Sequence, residues 1–247
     1  MYMDENKITV KICGLKSGED VKICARPGVD VLGFVVEYPL PVPWNLRREE
    51  AAALLPLVPP SHKTCLVSGG PPEKLIALAE SLRPSMMQLH FKETLAETEK
   101  IARALLPLSV GVIKTIPPTA GERMELFGTS DAGWIARALC EAGVSAILVD
   151  SRAPANAAGE GEKGDVELFK QVKAFSLRPV ILAGGINAEN VGEILAMSGA
   201  RHIDLMSGAE SAPGVKDGQK VAALLTSLGV FFKGRGEERN QAPPPGR

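Results

Sequence analysis

Eight short apolar, β-rich runs, each followed by a helical pattern, constrain this chain more than any other feature. The runs fall at residues 8–13, 31–36, 64–67, 86–89, 110–114, 146–149, 180–182 and 203–205. Unbroken apolar character over a few residues marks strands buried on both faces, as in parallel sheets. Helical patterns lie at 18–25, 48–55, 73–82, 93–105, 132–142, 166–175, 189–197 and 216–228. Ser17 stands in N-cap position before the first, and Gly28, Pro84, Pro107, Gly143, Gly199 and Gly229 follow several of the others, as helix ends require. Such alternation predicts an α/β fold with a parallel sheet. Eight units predict closure into a single-domain (β/α)8 TIM barrel in preference to an open doubly wound sheet, and 247 residues match the roughly 250 that such a barrel uses.

Two stretches fall outside the repeat. Residues 37–46, EYPLPVPWNL, read as a proline-rich loop after the second strand. Residues 233–247, KGRGEERNQAPPPGR, are polar and Gly/Pro-rich and are predicted to be a disordered tail behind a barrel domain of residues 1–232. A net charge of −1 removes the basis for a nucleic-acid-binding surface. The four cysteines, Cys13, Cys24, Cys65 and Cys140, form no CxxC pair, and three histidines are too scattered for a zinc site. Free thiols fit a reducing cytoplasm. The polar, charged start is no signal peptide, and no apolar run reaches the roughly 18 residues of a membrane span.

Function is signalled by two glycine turns near the end of the chain. Leu182-Ala183-Gly184-Gly185-Ile186-Asn187 and Asp204-Leu205-Met206-Ser207-Gly208 each follow a strand and precede a helix. Such turns aim backbone N–H groups at an anion, and the last two strands of a (β/α)8 barrel are where phosphate is held. Gly184, Gly185, Ser207 and Gly208 are therefore the expected phosphate cradle, and a small phosphorylated sugar the expected substrate. The active site of such a barrel lies at the C-terminal ends of its strands. That rule selects Cys13, Gly14, Glu37, Gln88, His90, Lys114, Asp150, Arg152, Asp204 and Ser207.

These residues sit in segments that resemble the phosphoribosylanthranilate isomerase family of tryptophan biosynthesis. Val10-Lys11-Ile12-Cys13-Gly14-Leu15 is similar to the family's opening motif. Residues 28–34, Gln88-Leu89-His90, Val112-Ile113-Lys114 and Leu148-Val149-Asp150-Ser151 resemble its second, fourth, fifth and sixth strands in order. Gly159-Glu160-Gly161, with Asp165 beyond, resembles its glycine-rich loop, and residues 182–191 and 204–217 (DLMSGAESAPGVKD) its phosphate-binding end. The resemblance covers roughly residues 8–228. It implies an Amadori rearrangement of an N-(5'-phosphoribosyl) amine, carried out without metal or cofactor by a monomer or homodimer. It implies Asp150 as the acid that opens the sugar ring and Cys13 as the base that takes the C2' proton. Lys11, Gln88, His90, Asp204, Glu37 and Trp44 complete the expected substrate-binding set. Cys24, Cys65 and Cys140 read as core thiols.

One part of the pattern is broken. The family carries an arginine for the anthranilate carboxylate in the loop after the second strand. Here that loop reads Pro41-Val42-Pro43-Trp44-Asn45-Leu46, with Trp44 or Val42 at the arginine position. Indole cannot replace a guanidinium fork. Arg47, Arg48, Arg152 and Lys114 are the nearest substitutes, and Glu37 adds a negative charge to the same loop. Phe91 follows His90 where the family has glycine, and residues 64–68 replace its usual third-strand ending. The expectation is a retained phosphoribosyl half and a rebuilt aglycone half. The leading reading, which the resemblance implies, is the anthranilate substrate. The alternatives are a paralogue acting on another phosphorylated sugar amine, or a barrel that binds a phosphometabolite without catalysis.

Overall fold

A computed structural model describes residues 7–150 and 166–241, with side chains as far as Gly229. The strands are β1 (Thr9–Ile12), β2 (Val31–Val36), β3 (Asn45–Leu46), β4 (Lys63–Ser68), β5 (Met86–Leu89), β6 (Gly111–Ile116), β7 (Ala146–Asp150), β8 (Val180–Ala183), β9 (His202–Leu205), β10 (Glu210–Ala212) and β11 (Val215–Lys216). The helices are α1 (Gly18–Cys24), α2 (Arg48–Leu54), α3 (Pro72–Leu82), α4 (Leu95–Leu105), α5 (Ala120–Phe127), α6 (Ala132–Glu141), α7 (Val166–Phe175), α8 (Val191–Ser198) and α9 (Gly218–Gln241). β1 pairs in parallel with both β2 and β9, and the remaining strands run in order between them, so eight strands close into the expected barrel. No described helix is long and apolar enough to cross a membrane.

Alternation along each strand sorts the side chains into two layers. One set packs inside the barrel: Cys13, Val31, Val35, Cys65, Val67, Ile113, Ala146, Leu148, Ile181 and Ala183. Their neighbours, such as Ile12, Leu32, Phe34, Leu66, Met87, Leu89, Val112, Ile147, Val149, Leu182 and Ile203, meet the helices in the outer core. Both layers are apolar, which is why the strands read as unbroken runs. This parity also decides which polar strand-end residues can reach the barrel mouth.

Five details differ from the sequence expectation. α5 was not expected; its start is a capping box, with Thr119 Oγ1 accepting from the Glu122 N–H and Glu122 reaching back to the Thr119 N–H. β3 lies within the proline-rich loop. It pairs with Val35 and Val36 on β2, past the point where β1 pairs with Val31 and Leu32. β10 and β11 form an antiparallel hairpin, so Lys216 belongs to a strand and the last helix starts at Gly218. α4 starts at Leu95, leaving Glu93 in the loop before it. Finally, α9 continues through Gln241, so residues 233–241 are helical where a disordered tail was expected. No proline occurs between Gly218 and Gln241, and Pro243 follows the end of the helix.

Candidate active site

The C-terminal mouth of the barrel opens into a cavity of about 680 Å³, counted with its open mouth. Its polar lining is Cys13, Gln88, His90, Asp150 and Asp204, from the ends of four strands, with Gln88 and His90 both at the end of β5. All five have the inward parity of their strands. The opposite wall is apolar and comes from β2, β4, the proline-rich loop and the turn after β9.

Cys13 ends β1, and its room is made by a glycine on the neighbouring strand. A Cβ at Gly33 would lie 2.9 Å from the Cys13 sulfur and 3.1 Å from its Cα. Gly14, at φ 79°, then turns the chain away, a backbone conformation that favours glycine. Two residues earlier on the same face, Lys11 is 3% exposed and places Nζ 2.7 Å from Asp204 Oδ2. The contact follows from register, because Lys11 and Asp204 are direct partners in the β1–β9 ladder. Burial alone would lower the Lys11 pKa, but Asp204, Cys13 and Cys65 carry it above the ordinary lysine value. Lys11 is thus a fixed cation beneath Cys13. Burial raises the Cys13 thiol, while Lys11, and more weakly Lys216, pull it back. Asp204 is also raised by burial and held back by Lys11. Its other oxygen, Oδ1, is buried with no hydrogen-bond partner. A buried acceptor left open at a cavity wall suits a ligand hydroxyl.

Across the mouth, Gln88 Nε2 lies 3.0 Å and Thr115 Oγ1 2.9 Å from His90 Nδ1. With the amide donating to Nδ1, a neutral imidazole carries its proton on Nε2. Burial lowers the His90 pKa, with Asp150 acting in the opposite sense. His90 is therefore a neutral donor on the same wall as Asp150.

The proline-rich loop is pinned at three points. The Tyr38 N–H donates to Asn45 Oδ1 at 2.8 Å, and Asn45 Nδ2 returns to the Tyr38 carbonyl at 2.9 Å. The Tyr38 hydroxyl donates to the His90 carbonyl at 2.8 Å, tying the loop to the end of β5. Burial, with Glu93 and Asp150 nearby, pushes that phenol up to about 12. These bonds set Trp44, 4% exposed, into the cavity wall beside Tyr38 and Val42.

The two glycine turns flank the cavity. Ala183, which lines it, leads into Gly184 (φ 98°) and Gly185 (φ 63°), while Met206, which also lines it, leads into a 3-10 turn, Ser207–Ala209. The turns touch: a Cβ on Gly208 would fall 2.0 Å from the Ile186 carbonyl oxygen.

Glu37 does not join this site. Its backbone turns left-handed at φ 45°, and its carboxylate pairs with Arg48 at 3.3 Å instead of lining the cavity. Lys74 Nζ holds the Glu37 carbonyl and, at 2.9 Å, that of Gly69. Lys114 is also elsewhere, because it has the outward parity of β6. It forms a fully buried pair with Glu93 at 2.8 Å. Glu93 additionally accepts from the backbone N–H groups of Gly70 (3.0 Å) and Phe91 (3.1 Å), so one carboxylate ties together the loops after β4 and β5. Arg47 caps α2 against Glu50 on the surface. Ser151, Arg152, Gly159-Glu160-Gly161 and Asp165 lie outside the described residues. Reading by strand ends alone missed Val35, Val67 and Tyr38 in the lining; inward parity would have found the first two.

A family profile described as N-(5'-phosphoribosyl)anthranilate (PRA) isomerase matches residues 10–227. The chain belongs to the PRA isomerase family. The N-(5'-phosphoribosyl)anthranilate isomerase of Cereibacter sphaeroides is 33% identical over 221 residues, covering 88% of this chain and 97% of its own. Among solved structures, phosphoribosyl anthranilate isomerase from Thermus thermophilus aligns with a TM-score of 0.70 at 30% identity, over 91% of this chain and 100% of that one. A second, at TM-score 0.70 and 25% identity over 90% and 99% of the two chains, is a PRA isomerase in complex with reduced 1-(o-carboxyphenylamino)-1-deoxyribulose 5-phosphate. Trp44 and Val42, the two residues read at the position of the expected arginine, both line the cavity.

Proposed function

We propose that this chain is an isomerase of tryptophan biosynthesis. It converts N-(5'-phosphoribosyl)anthranilate to 1-(o-carboxyphenylamino)-1-deoxyribulose 5-phosphate. The observation that carries the reading is the convergence of Cys13 and Asp150 on one cavity, two of whose lining residues, Ala183 and Met206, lead in the chain into the glycine turns. Membership of the PRA isomerase family supports it.

In this mechanism the substrate phosphate rests on the backbone N–H groups of Gly184, Gly185, Ser207 and Gly208. Asp150 gives its proton to the ribose ring oxygen. The C1'–O bond breaks, and the nitrogen lone pair forms the C1'=N iminium. The Cys13 thiolate then removes the C2' proton, and the C2'–H electrons flow to the iminium to give an enolamine. Tautomerisation of the enol to the C2' ketone completes the rearrangement. Lys11 stabilises the thiolate as it forms, and Asp204 Oδ1 accepts a sugar hydroxyl. His90 donates through Nε2 beside Asp150. Contributions of about 10²–10⁴-fold from each positioned acid or base are the ordinary scale.

The described site comes from one barrel, so it needs one copy of the chain, whether monomer or homodimer. Four free cysteines fit a cytoplasmic location. The test is a steady-state assay of the purified chain on N-(5'-phosphoribosyl)anthranilate, followed by product chromatography. A kcat/KM of about 10⁴ M⁻¹s⁻¹ or above is expected. No turnover would overturn the assignment.

A further inference from the structure

We infer that Thr115 is a positioning residue of the isomerisation: with Gln88 it fixes His90 as the tautomer that offers an Nε2–H donor to the cavity. The inference rests on the isomerase reading above and adds a residue to it. Thr115 is reached by strand parity. Ile113 packs inside the barrel, Lys114 turns outward to Glu93, and Thr115, two residues on from Ile113, faces inward again. In the β6–β7 ladder it is the direct partner of Leu148, another residue of the inner core. Its hydroxyl lies 2.9 Å from His90 Nδ1, and Thr115 itself does not line the cavity, whereas His90 does. Thr115 therefore acts on a bound substrate through His90.

His90 is held at its backbone as well as at its ring. Its N–H donates to the Ser68 carbonyl at 3.0 Å, and its carbonyl accepts from the Tyr38 hydroxyl at 2.8 Å. With the backbone fixed, the contacts at Nδ1 set the ring. Two groups meet that nitrogen, Gln88 Nε2 at 3.0 Å and the Thr115 hydroxyl at 2.9 Å. An amide nitrogen only donates, so Nδ1 accepts. The Gln88 oxygen faces the Cys65 sulfur at 4.0 Å, and burial pushes that thiol up to about 12, which keeps it a neutral, weak donor. A proton on Nδ1 would confront the amide N–H and leave buried donors unpaired. Turning the ring over would put a carbon in place of Nδ1 and break both bonds. The Thr115 hydroxyl rotates, and so serves as the second donor to the same nitrogen. Burial holds His90 below the ordinary imidazole pKa, with Asp150 and Asp204 opposing the shift and Lys11 and Lys114 adding to it, so the ring is neutral at pH 7. Its one N–H, on Nε2, is then the donor offered to a sugar oxygen.

The experiment reads tautomer and turnover separately. The chain has three histidines, so a nitrogen-15 spectrum of its imidazoles is simple, and a His90→Asn variant identifies the His90 signals. Near neutral pH the wild-type protein should show His90 with Nε2 protonated and Nδ1 bare. Thr115→Val removes the hydroxyl and keeps the shape. It should lower kcat on N-(5'-phosphoribosyl)anthranilate by about tenfold, the scale of one hydrogen bond, with KM within about twofold and little change in Tm. Thr115→Ser should return kcat to within about twofold of wild type. Gln88→Glu presents an acceptor to Nδ1, and should move the proton there and lower kcat further. A wild-type His90 protonated on Nδ1, wild-type kcat in Thr115→Val, or equal losses in the valine and serine variants would overturn the inference and leave the isomerase reading intact. The expected tautomer in a wild-type protein without turnover would overturn the isomerase reading and, with it, any part for Thr115 in the reaction.

Discussion

Replacing Glu93 by alanine is the sharpest test of how the barrel mouth is held. Glu93 is fully buried, and its carboxylate accepts from Lys114 Nζ at 2.8 Å and from the N–H groups of Gly70 and Phe91. The variant leaves Lys114 buried without its counter-charge, which costs about 3–5 kcal/mol when one partner of a buried pair is removed. A second route gives the same size. Lys114 can shed its proton instead, at about 1.36 kcal/mol per pKa unit over the roughly 3.4 units between an ordinary lysine and pH 7, or about 4.6 kcal/mol. Water entering the vacated space can satisfy the two backbone donors, so their loss adds less. A loss of about 4 kcal/mol is expected, and with it a fall in Tm of about 8–16 °C for a domain of this size.

The pH dependence identifies the cause. Burial already holds the Lys114 pKa below the ordinary lysine value, with Glu93 opposing the shift; without Glu93 it falls further. Between that lowered value and about 10.4, the unfolded chain binds more protons than the folded one, so stability rises with pH in this window. The deficit of Glu93→Ala relative to wild type should therefore shrink between pH 7 and pH 10. Urea denaturation followed by tryptophan fluorescence at several pH values measures both quantities. A deficit below about 1.5 kcal/mol at pH 7, or one independent of pH, would refute the assignment of Glu93 as counter-ion to a buried charge.

Cys13→Ser and Asp150→Asn should each lower kcat by about 10²-fold or more with little change in Tm, and near-wild-type turnover would remove that residue from the mechanism. Gly208→Val drives a side chain onto the Ile186 carbonyl, and Gly185→Leu strains a left-handed turn. Both should raise KM more than they lower kcat, and unchanged KM values would place the phosphate elsewhere. The limb of the kcat/KM profile that follows Cys13 ionisation should move in opposite directions in two variants. Removing the Lys11 cation (Lys11→Met) should shift it to higher pH; neutralising Asp204 (Asp204→Asn), whose charge raises the thiol pKa, should shift it to lower pH. Shifts of the same sign would refute the proposed electrostatic coupling.

Much of this architecture is written locally and so is legible in the sequence. Each barrel strand is a short apolar run because it is buried on both faces, and each run was located to within a few residues. Cys13, Gln88, His90, Asp150 and Asp204 end such runs, so strand-end position alone directs them to the mouth. Glu37 and Lys114 satisfy the same positional rule and do not reach the cavity. The first is turned aside by a left-handed backbone and held by Arg48; the second has the outward parity of β6 and is paired with Glu93. These outcomes depend on partners 11 and 21 residues away, respectively, in the chain, and no local pattern records them.

α5 and the β10–β11 hairpin mark the boundary between the two kinds of information. The capping box Thr119–Glu122 is a local signal that was there to be read. The hairpin exists because Glu210 and Lys216 find each other across a turn and bury an ion pair together. The sequence by itself determined a closed barrel, its mouth and the two glycine turns after its last two strands, because each follows from periodicity and glycine placement along the chain. Only tertiary structure decided which charges face the substrate. Lys11 meets Asp204 through the register of β1 against β9, 193 residues apart. Trp44 enters the cavity wall because Tyr38 is tied to His90 across the mouth.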